Sequence, residues 1–268
     1  MRFQQLLDPL PIVGVFVAFV VVALIAAECG YRLGHWSQSR TSDEKQGTTA
    51  MVTGSLLALM GFLLAVTMGM ATDRFDKRRG LVLEEANSVG TMYLRAGYLP
   101  EPASSQIRDL LREYVPLRIA DTAGVADARV RTARSGVIHA KLWSITEKLA
   151  RTTPESDVLA LFIVSLNETI DLHETRVTAG VYSRVPETVV FLLLLGSIMA
   201  VGLVGYNMGL SLRRNSLPGV VLIVLLGAII TLVIDLDRPR DGFVKVGQQP
   251  LIDLQEQIGA YPPANPPK

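Results

Sequence analysis

The densest group of side chains able to do chemistry is Asn167, Glu168, Asp171, His173 and Glu174, set in a run of helix-forming residues. Asn167, Asp171 and Glu174 share one helical face, and oxygen ligands so placed suit a hard cation. The spacing that metal centres in helical bundles use is absent, because there is no Glu-x-x-His and no His-Glu-x-x-His. A solvated helix face is therefore expected, and no metal site is assigned. Cys29 is the only cysteine, which excludes an intrachain disulfide and a Cys-based zinc site. His35, His139 and His173 are scattered, and no P-loop, Gly-x-Ser-x-Gly or dinucleotide-binding fingerprint occurs. Nothing here predicts an enzyme, and no motif calls for a cofactor.

Two polar residues interrupt apolar stripes. Glu85 sits on the stripe Val82, Glu85, Val89, Met92, and His173 sits on the stripe Leu159, Ile163, Leu166, Ile170, His173, Val177. A carboxylate on a buried face is costly unless paired. Glu85 is expected to meet His173 or Arg176 across a helix interface, either as a structural pair or as a proton-sensitive latch. With Asp73 and Arg74, these three are the candidates for coupling a soluble domain to the membrane. A further cluster, Asp235, Asp237, Arg238 and Arg240, is expected to form salt bridges at a membrane edge, with an ion-selecting ring as the alternative.

The elements that must position these groups are read from hydropathy. Uncharged apolar runs cover about Leu10–Ala27, Ala50–Ala71, Thr188–Leu212 and Leu217–Ile234. Each is roughly 18 residues or longer, enough to cross a hydrocarbon core of about 30 Å. The expected fold is an all-α membrane protein with four transmembrane helices and a helical cytoplasmic domain inserted between helices 2 and 3. Residues 1–71 carry helices 1 and 2, 72–187 the cytoplasmic domain continuous with helix 2, and 188–236 helices 3 and 4. Residues 237–268 form a cytoplasmic C-terminal segment ending in a disordered Pro-rich tail. The first run is longer than a signal-peptide core and lacks a good cleavage site after Ala27, so a retained helix is expected. A formal net charge of +1 and no basic stripe exclude nucleic acid as a partner, and the lipid bilayer is the expected one.

Basic residues near the span ends set the orientation. Arg2, Arg74, Lys77, Arg78, Arg79, Arg176, Arg184, Arg238, Arg240 and Lys245 lie on one side, against Arg32, Arg40, Lys45, Arg213 and Arg214 on the other. The middle domain and both termini are thereby expected in the cytoplasm of a bacterium, below its inner membrane. Helix 2 is predicted to continue to about Leu94, stopped by Gly97 and Pro100. A second helix is expected to be capped by Ser104 or Ser105 and kinked at Pro116, and a third to span Val125–Arg151. A fourth is expected to open on Thr153-Pro154. Phe243–Val246 reads as extended, and Leu251, Leu254 and Ile258 line a short amphipathic helix.

The second span has two notable faces. Gly54, Ser55, Ala58, Gly61, Ala65 and Gly69 would let another helix approach closely. Leu59, Phe62, Leu63, Val66 and Met70 form an apolar face that is packing in a lone bundle but could line an axial pore in a ring of subunits.

Several stretches carry a resemblance. Gly61-Phe62-Leu63-Leu64-Ala65, Asp73-Arg74-Phe75-Asp76, Glu84-Glu85-Ala86-Asn87, Asn167 through His173, and Asp235-Leu236-Asp237-Arg238-Pro239 resemble the bestrophin-like domain family, over about residues 47–256. That family is distantly similar to bestrophins, which are pentameric ion channels. The resemblance implies a homo-oligomer, a pentamer in bestrophins, that passes an inorganic ion. Its second helix would line a hydrophobic neck at Leu59, Phe62 or Leu63, and Val66. Phe75 stands where bacterial bestrophins carry Trp, and the acidic calcium clasp of animal bestrophins is absent, so calcium gating is not implied. A non-conducting scaffold or signalling protein is the alternative.

Overall fold

A computed structural model of the chain describes residues 10–38, 43–119, 125–181, 184–211, 216–238 and 242–259. Expectations for Arg2, Arg40, Arg213, Arg214, Arg240 and the Pro-rich tail lie outside these residues. Eight helices dominate, and no strand occurs among the described residues. They are α1 (Ile12–Ser37), α2 (Asp43–Ala96), α3 (Ala103–Arg118), α4 (Val125–Thr152), α5 (Asp157–Val181), α6 (Glu187–Leu210), α7 (Ser216–Asp237) and α8 (Gln249–Gln257). Phe243–Val246 is irregular rather than a strand. α1, α2, α6 and α7 each carry a window long and apolar enough to cross a bilayer, so the chain is a multi-pass membrane protein. α2 has 54 residues. At about 1.5 Å per residue it is more than twice as long as a hydrocarbon core of about 30 Å. Only its uncharged stretch, Ala50–Ala71, can lie in hydrocarbon, and the residues from Asp73 onward lie beyond it.

The chain divides into two compact units, residues 1–75 with 184–245, and residues 76–183 with 246–268. In the first, Val15, Phe19 and Ala23 of α1 pack with Leu64 of α2, Leu193 and Val201 of α6, and Ile223 and Ile230 of α7. α1 and α6 lie against each other through glycines. A Cβ at Gly30 would collide with the carbonyl oxygen of Gly202, and one at Gly34 with that of Tyr206. One at Gly205 would strike the oxygen of Ala27, and one at Gly209 that of Tyr31. Both numbers rise together, so the helices run parallel. Two Gly-x-x-x-Gly motifs facing each other allow this backbone-to-backbone approach. α6 also donates from Asn207 Nδ2 to Thr53 Oγ1 of α2 at 2.6 Å.

The second unit packs Val82, Val89 and Met92 of α2 with Ile107 and Leu111 of α3, Ile138 and Leu142 of α4, and Phe162 and Leu166 of α5; Leu251 and Leu254 of α8 join this core. Three local expectations need correction. α3 starts at Ala103, so Ser104 and Ser105 lie in its first turn, and the Glu101 carboxylate receives the Ser105 hydroxyl at 2.7 Å. Pro116 falls in the last turn of α3, which ends two residues later. Thr153 closes α4, its hydroxyl bonding back to Leu149 O at 3.0 Å, and Ser156 Oγ accepts Leu159 N–H at 3.2 Å instead. The buried seam of α5 also turns away from Ile163 and Ile170, which are half-buried, toward Phe162, Leu166, Thr169 and His173. A buried hydrogen bond of 2.8 Å between the hydroxyls of Thr169 and Ser88 draws that face onto α2.

Candidate functional site

The second unit has its charged centre at Glu85, which is fully buried. The stripe of α2 carries it inward among apolar residues, where an unpaired carboxylate would cost several kcal/mol. Three partners converge on it. Arg118 Nε donates to Oε1 at 2.6 Å, Arg176 Nη1 donates to Oε2, and the Tyr114 hydroxyl donates to Oε1 at 3.0 Å. Arg176 also donates to Gln248 Oε1 at 2.7 Å. Tyr114 has one hydroxyl proton and gives it to Glu85, so toward His173 Nδ1, 3.3 Å away, it must accept. That requires His173 to carry its proton on Nδ1. His139 stands edge-on to His173 with ring centroids 4.9 Å apart, and 5.1 Å from the Tyr114 ring.

Electrostatics follow from this packing. Burial pushes the Glu85 carboxyl up, but Arg118 and Arg176 more than offset it and hold its pKa below the usual value. Burial, then the Arg118 charge, lowers His139 to about 4 and His173 to about 3, so both rings are neutral near pH 7. Burial and the Glu85 charge hold the Tyr114 phenol well above its usual value, so it stays a donor. The cluster can bind helices together and respond to protons. It has no nucleophile paired with a base, and among the described residues no group of His, Cys, Asp and Glu is placed to hold a metal ion. Asn167, Glu168, Asp171 and Glu174 all point to solvent on α5.

In the first unit, α2 presents three faces. At about 100° per residue, Thr53, Met60, Leu64, Thr67 and Ala71 share one arc, and all five are buried. Leu59, Phe62, Leu63, Val66 and Met70 share a second. Leu59, Phe62 and Val66 of that arc are exposed by 51%, 65% and 45%, while Leu63 and Met70 are half-buried. Gly54, Ala58, Gly61, Ala65 and Gly69 share the third arc, also exposed. A Cβ at Gly54, Gly61 or Gly69 would meet nothing within 4 Å. Among the described residues, close backbone-to-backbone helix approach is the work of the glycines of α1 and α6, while Gly54, Gly61 and Gly69 of α2 face open space.

At the end of α7 the carboxylates of Asp235 and Asp237 receive backbone amides. Buried Asp235 accepts Phe243 N–H at 3.0 Å and Val244 N–H at 3.0 Å, clipping residues 242–244 back onto the helix end. Asp237 accepts Val185 N–H at 2.8 Å, and Arg238 Nη1 donates to Leu10 O at 2.9 Å. Backbone amides cluster here because the chain must leave the helix and turn where its carboxylates are buried. A Cβ at Gly242 would collide with Asp235 Oδ1. Gly242→Ala is expected to open the clip and speed hydrogen exchange at the Phe243 and Val244 amides about tenfold, the equivalent of about 1.4 kcal/mol. Unchanged exchange would show that the carboxylate does not hold the segment.

Of the coupling candidates, Glu85, His173 and Arg176 come together. Asp73 is exposed, and Arg74 Nη1 donates to Arg184 O within the first unit. Sequence reasoning missed Arg118 and Tyr114 as partners of Glu85, and His139 as a neighbour of Tyr114 and His173. The available signal was the face Ile107, Leu111, Tyr114, Arg118 of α3, an apolar stripe ending in a guanidinium. It also missed Gly30-x-x-x-Gly34 and Gly205-x-x-x-Gly209, although the motif is legible.

Known proteins with this fold include a mutant bacterial Bestrophin homolog from Klebsiella pneumoniae, at a TM-score of 0.68 and 15% identity, covering 92% of this chain and 97% of that one. Another mutant Bestrophin homolog from Klebsiella pneumoniae aligns at a TM-score of 0.64 and 17% identity, over 92% and 96%. A third structure, a Klebsiella pneumoniae Bestrophin homolog phased with zinc, aligns at 0.62 and 16%, over 92% and 95%. Identities this low speak for the fold alone. No curated protein matches the sequence. The sequence does match the Bestrophin-like domain over residues 15–251, and the chain therefore belongs to the Bestrophin-like domain family.

Proposed function

We propose that the protein is a homo-oligomeric ion channel of a bacterial inner membrane, with α2 lining a hydrophobic neck at Leu59, Phe62 and Val66. One observation carries the reading: among the described residues, Gly54, Gly61 and Gly69 of α2 face open space, and Leu59, Phe62 and Val66 on the adjoining face are exposed. In a ring, the small face admits the neighbouring α2 and the bulky face turns to the axis, where an apolar constriction gates by dewetting. Membership of the family supports this, since bestrophins conduct ions as pentamers. Leu63 and Met70 border the neck. The excess of basic residues near the span ends on that side supports a cytoplasmic middle helical domain and cytoplasmic termini. Asp73 and Arg74, with Glu85, His173 and Arg176 further along, couple that domain to the neck through the continuous α2.

The test joins assembly to flux. The purified protein is expected to run as a closed ring by native mass spectrometry. In proteoliposomes, Phe62→Ala and Val66→Ala should raise ion flux, roughly tenfold for each ~1.4 kcal/mol of dewetting barrier removed. A monomer or dimer leaves no axis, and would favour the scaffold whose helical domain binds a partner. A ring whose flux ignores both substitutions places the neck elsewhere.

A further inference from the structure

The clip at the end of α7 does more than turn the chain. It fixes the backbone of Phe243, yet leaves that side chain 75% exposed. Exposure alternates along the segment: Val244 turns inward onto the core of the first unit, while Phe243 and Lys245 both turn out. The depth of the segment is also set. Its amides bond to Asp235, within the last turn of a membrane span, so Phe243 lies level with that span's end. Leu10, whose carbonyl receives Arg238 Nη1, lies two residues before α1 at the same edge and is 43% exposed. Apolar side chains here have no fold-internal reason to face outward. An aromatic ring beside a lysine is the pairing that suits the boundary between acyl chains and headgroups, where the ring enters the hydrocarbon edge and the ammonium reaches lipid phosphate.

We infer that residues 243–245 form an interfacial lipid anchor, with Phe243 seated in the acyl edge of the bilayer, Lys245 on phospholipid phosphate, and Asp235 holding the pair at that depth. Phe243 and Lys245 lie on the outer surface of the first unit, so the anchor does not depend on ion conduction. It implies that the exit of α7 is fixed against the membrane plane, so that this end of the span cannot slide along the bilayer normal.

The full chain carrying Trp36→Phe, Trp143→Phe and Phe243→Trp has a single indole at the site. It is reconstituted in vesicles of phosphatidylcholine and phosphatidylglycerol, with or without lipid brominated on the upper acyl chain. Bromolipid is expected to cause about a twofold loss of emission, with weak quenching by aqueous acrylamide, as for indoles at the interface. Strong acrylamide quenching without a bromolipid effect would place the residue in water and overturn the inference. Quenching by neither agent would mean that protein covers the site, which overturns it equally. Circular dichroism of the same sample confirms that the helices are intact, and Phe243→Tyr in the native background provides a second, milder variant. Its vesicle-bound protein should keep the Asp235-protected amides slow to exchange.

Discussion

Glu85→Ala is expected to lower the melting temperature of the purified protein by on the order of 10 °C, from a loss of about 3–5 kcal/mol. The size comes from what remains rather than from what is removed. Arg118 and Arg176 both lean on this carboxylate, from α3 and α5, and Tyr114 gives it its only hydroxyl proton. Without it two guanidiniums share a buried site, and of the partners described Arg176 keeps the amide oxygen of Gln248. Glu85→Gln keeps the shape and one acceptor, so it should lie between the wild type and Glu85→Ala. Melts that do not distinguish the three proteins would mean that the arginines find equal partners elsewhere. Acid should reach the same site. The folded pKa values of His139 and His173, about 4 and about 3, lie below the ordinary 6.5. The unfolded chain therefore binds more protons in this window. Stability supplied by the neutral rings is full above pH 6.5 and falls by up to about 1.4 kcal/mol per pH unit for each ring as pH drops toward 4. Glu85, held below its usual 4.5, adds a further loss below that value. His173→Gln should roughly halve the slope between pH 6.5 and 4. A flat profile over that range would show that the rings are already open to water.

Gly205→Leu is expected to break the first unit, and Gly61→Leu is not. Each exchange removes a helix-weakening glycine and in isolation would favour the helix by about 0.5–1 kcal/mol. The difference lies in the neighbours. At Gly205 any side chain lands on the carbonyl of Ala27, a backbone atom that cannot rotate away. α1 and α6 must then separate, losing the facing contacts at Gly30, Gly34 and Gly209 together, at a cost of about 3 kcal/mol or more. At Gly61 a side chain enters open space within the chain. Its effect should appear only where α2 meets a second copy: an intact helical monomer by circular dichroism, but fewer subunits per particle by native mass spectrometry. If Gly61→Leu leaves the assembly unchanged, the small-residue stripe is not a subunit contact. If Gly205→Leu melts like the wild type, the α1–α6 contact is looser than its geometry implies.

The sequence by itself determined the elements. Four uncharged runs can only be satisfied as helices in hydrocarbon, since a spanning backbone must bond to itself, and the structure has them at those places. Stripe periodicity likewise marked α3, α4 and α8 to within a few residues, because side-chain repeat and helical pitch are the same signal. It also marked Glu85 as a residue in need of a partner, because a carboxylate among Val82, Val89 and Met92 has no other way to be buried.

Which partner could be settled only by tertiary packing. Arg118 lies on a helix that begins after a turn, and His139 on another. Distances between helices do not follow from spacing along them, whereas the distance within a helix does. The same limit applies to the glycines. Those of α2 looked like the packing stripe, but those of α1 and α6 do that work within the chain, because a small residue allows close approach without naming what approaches. At Asp235 and Asp237 the residues were legible as a charged cluster. The backbone amides that these carboxylates accept were not legible, because they reach the site only where the chain turns back on itself, and turns of that kind are set by the rest of the fold.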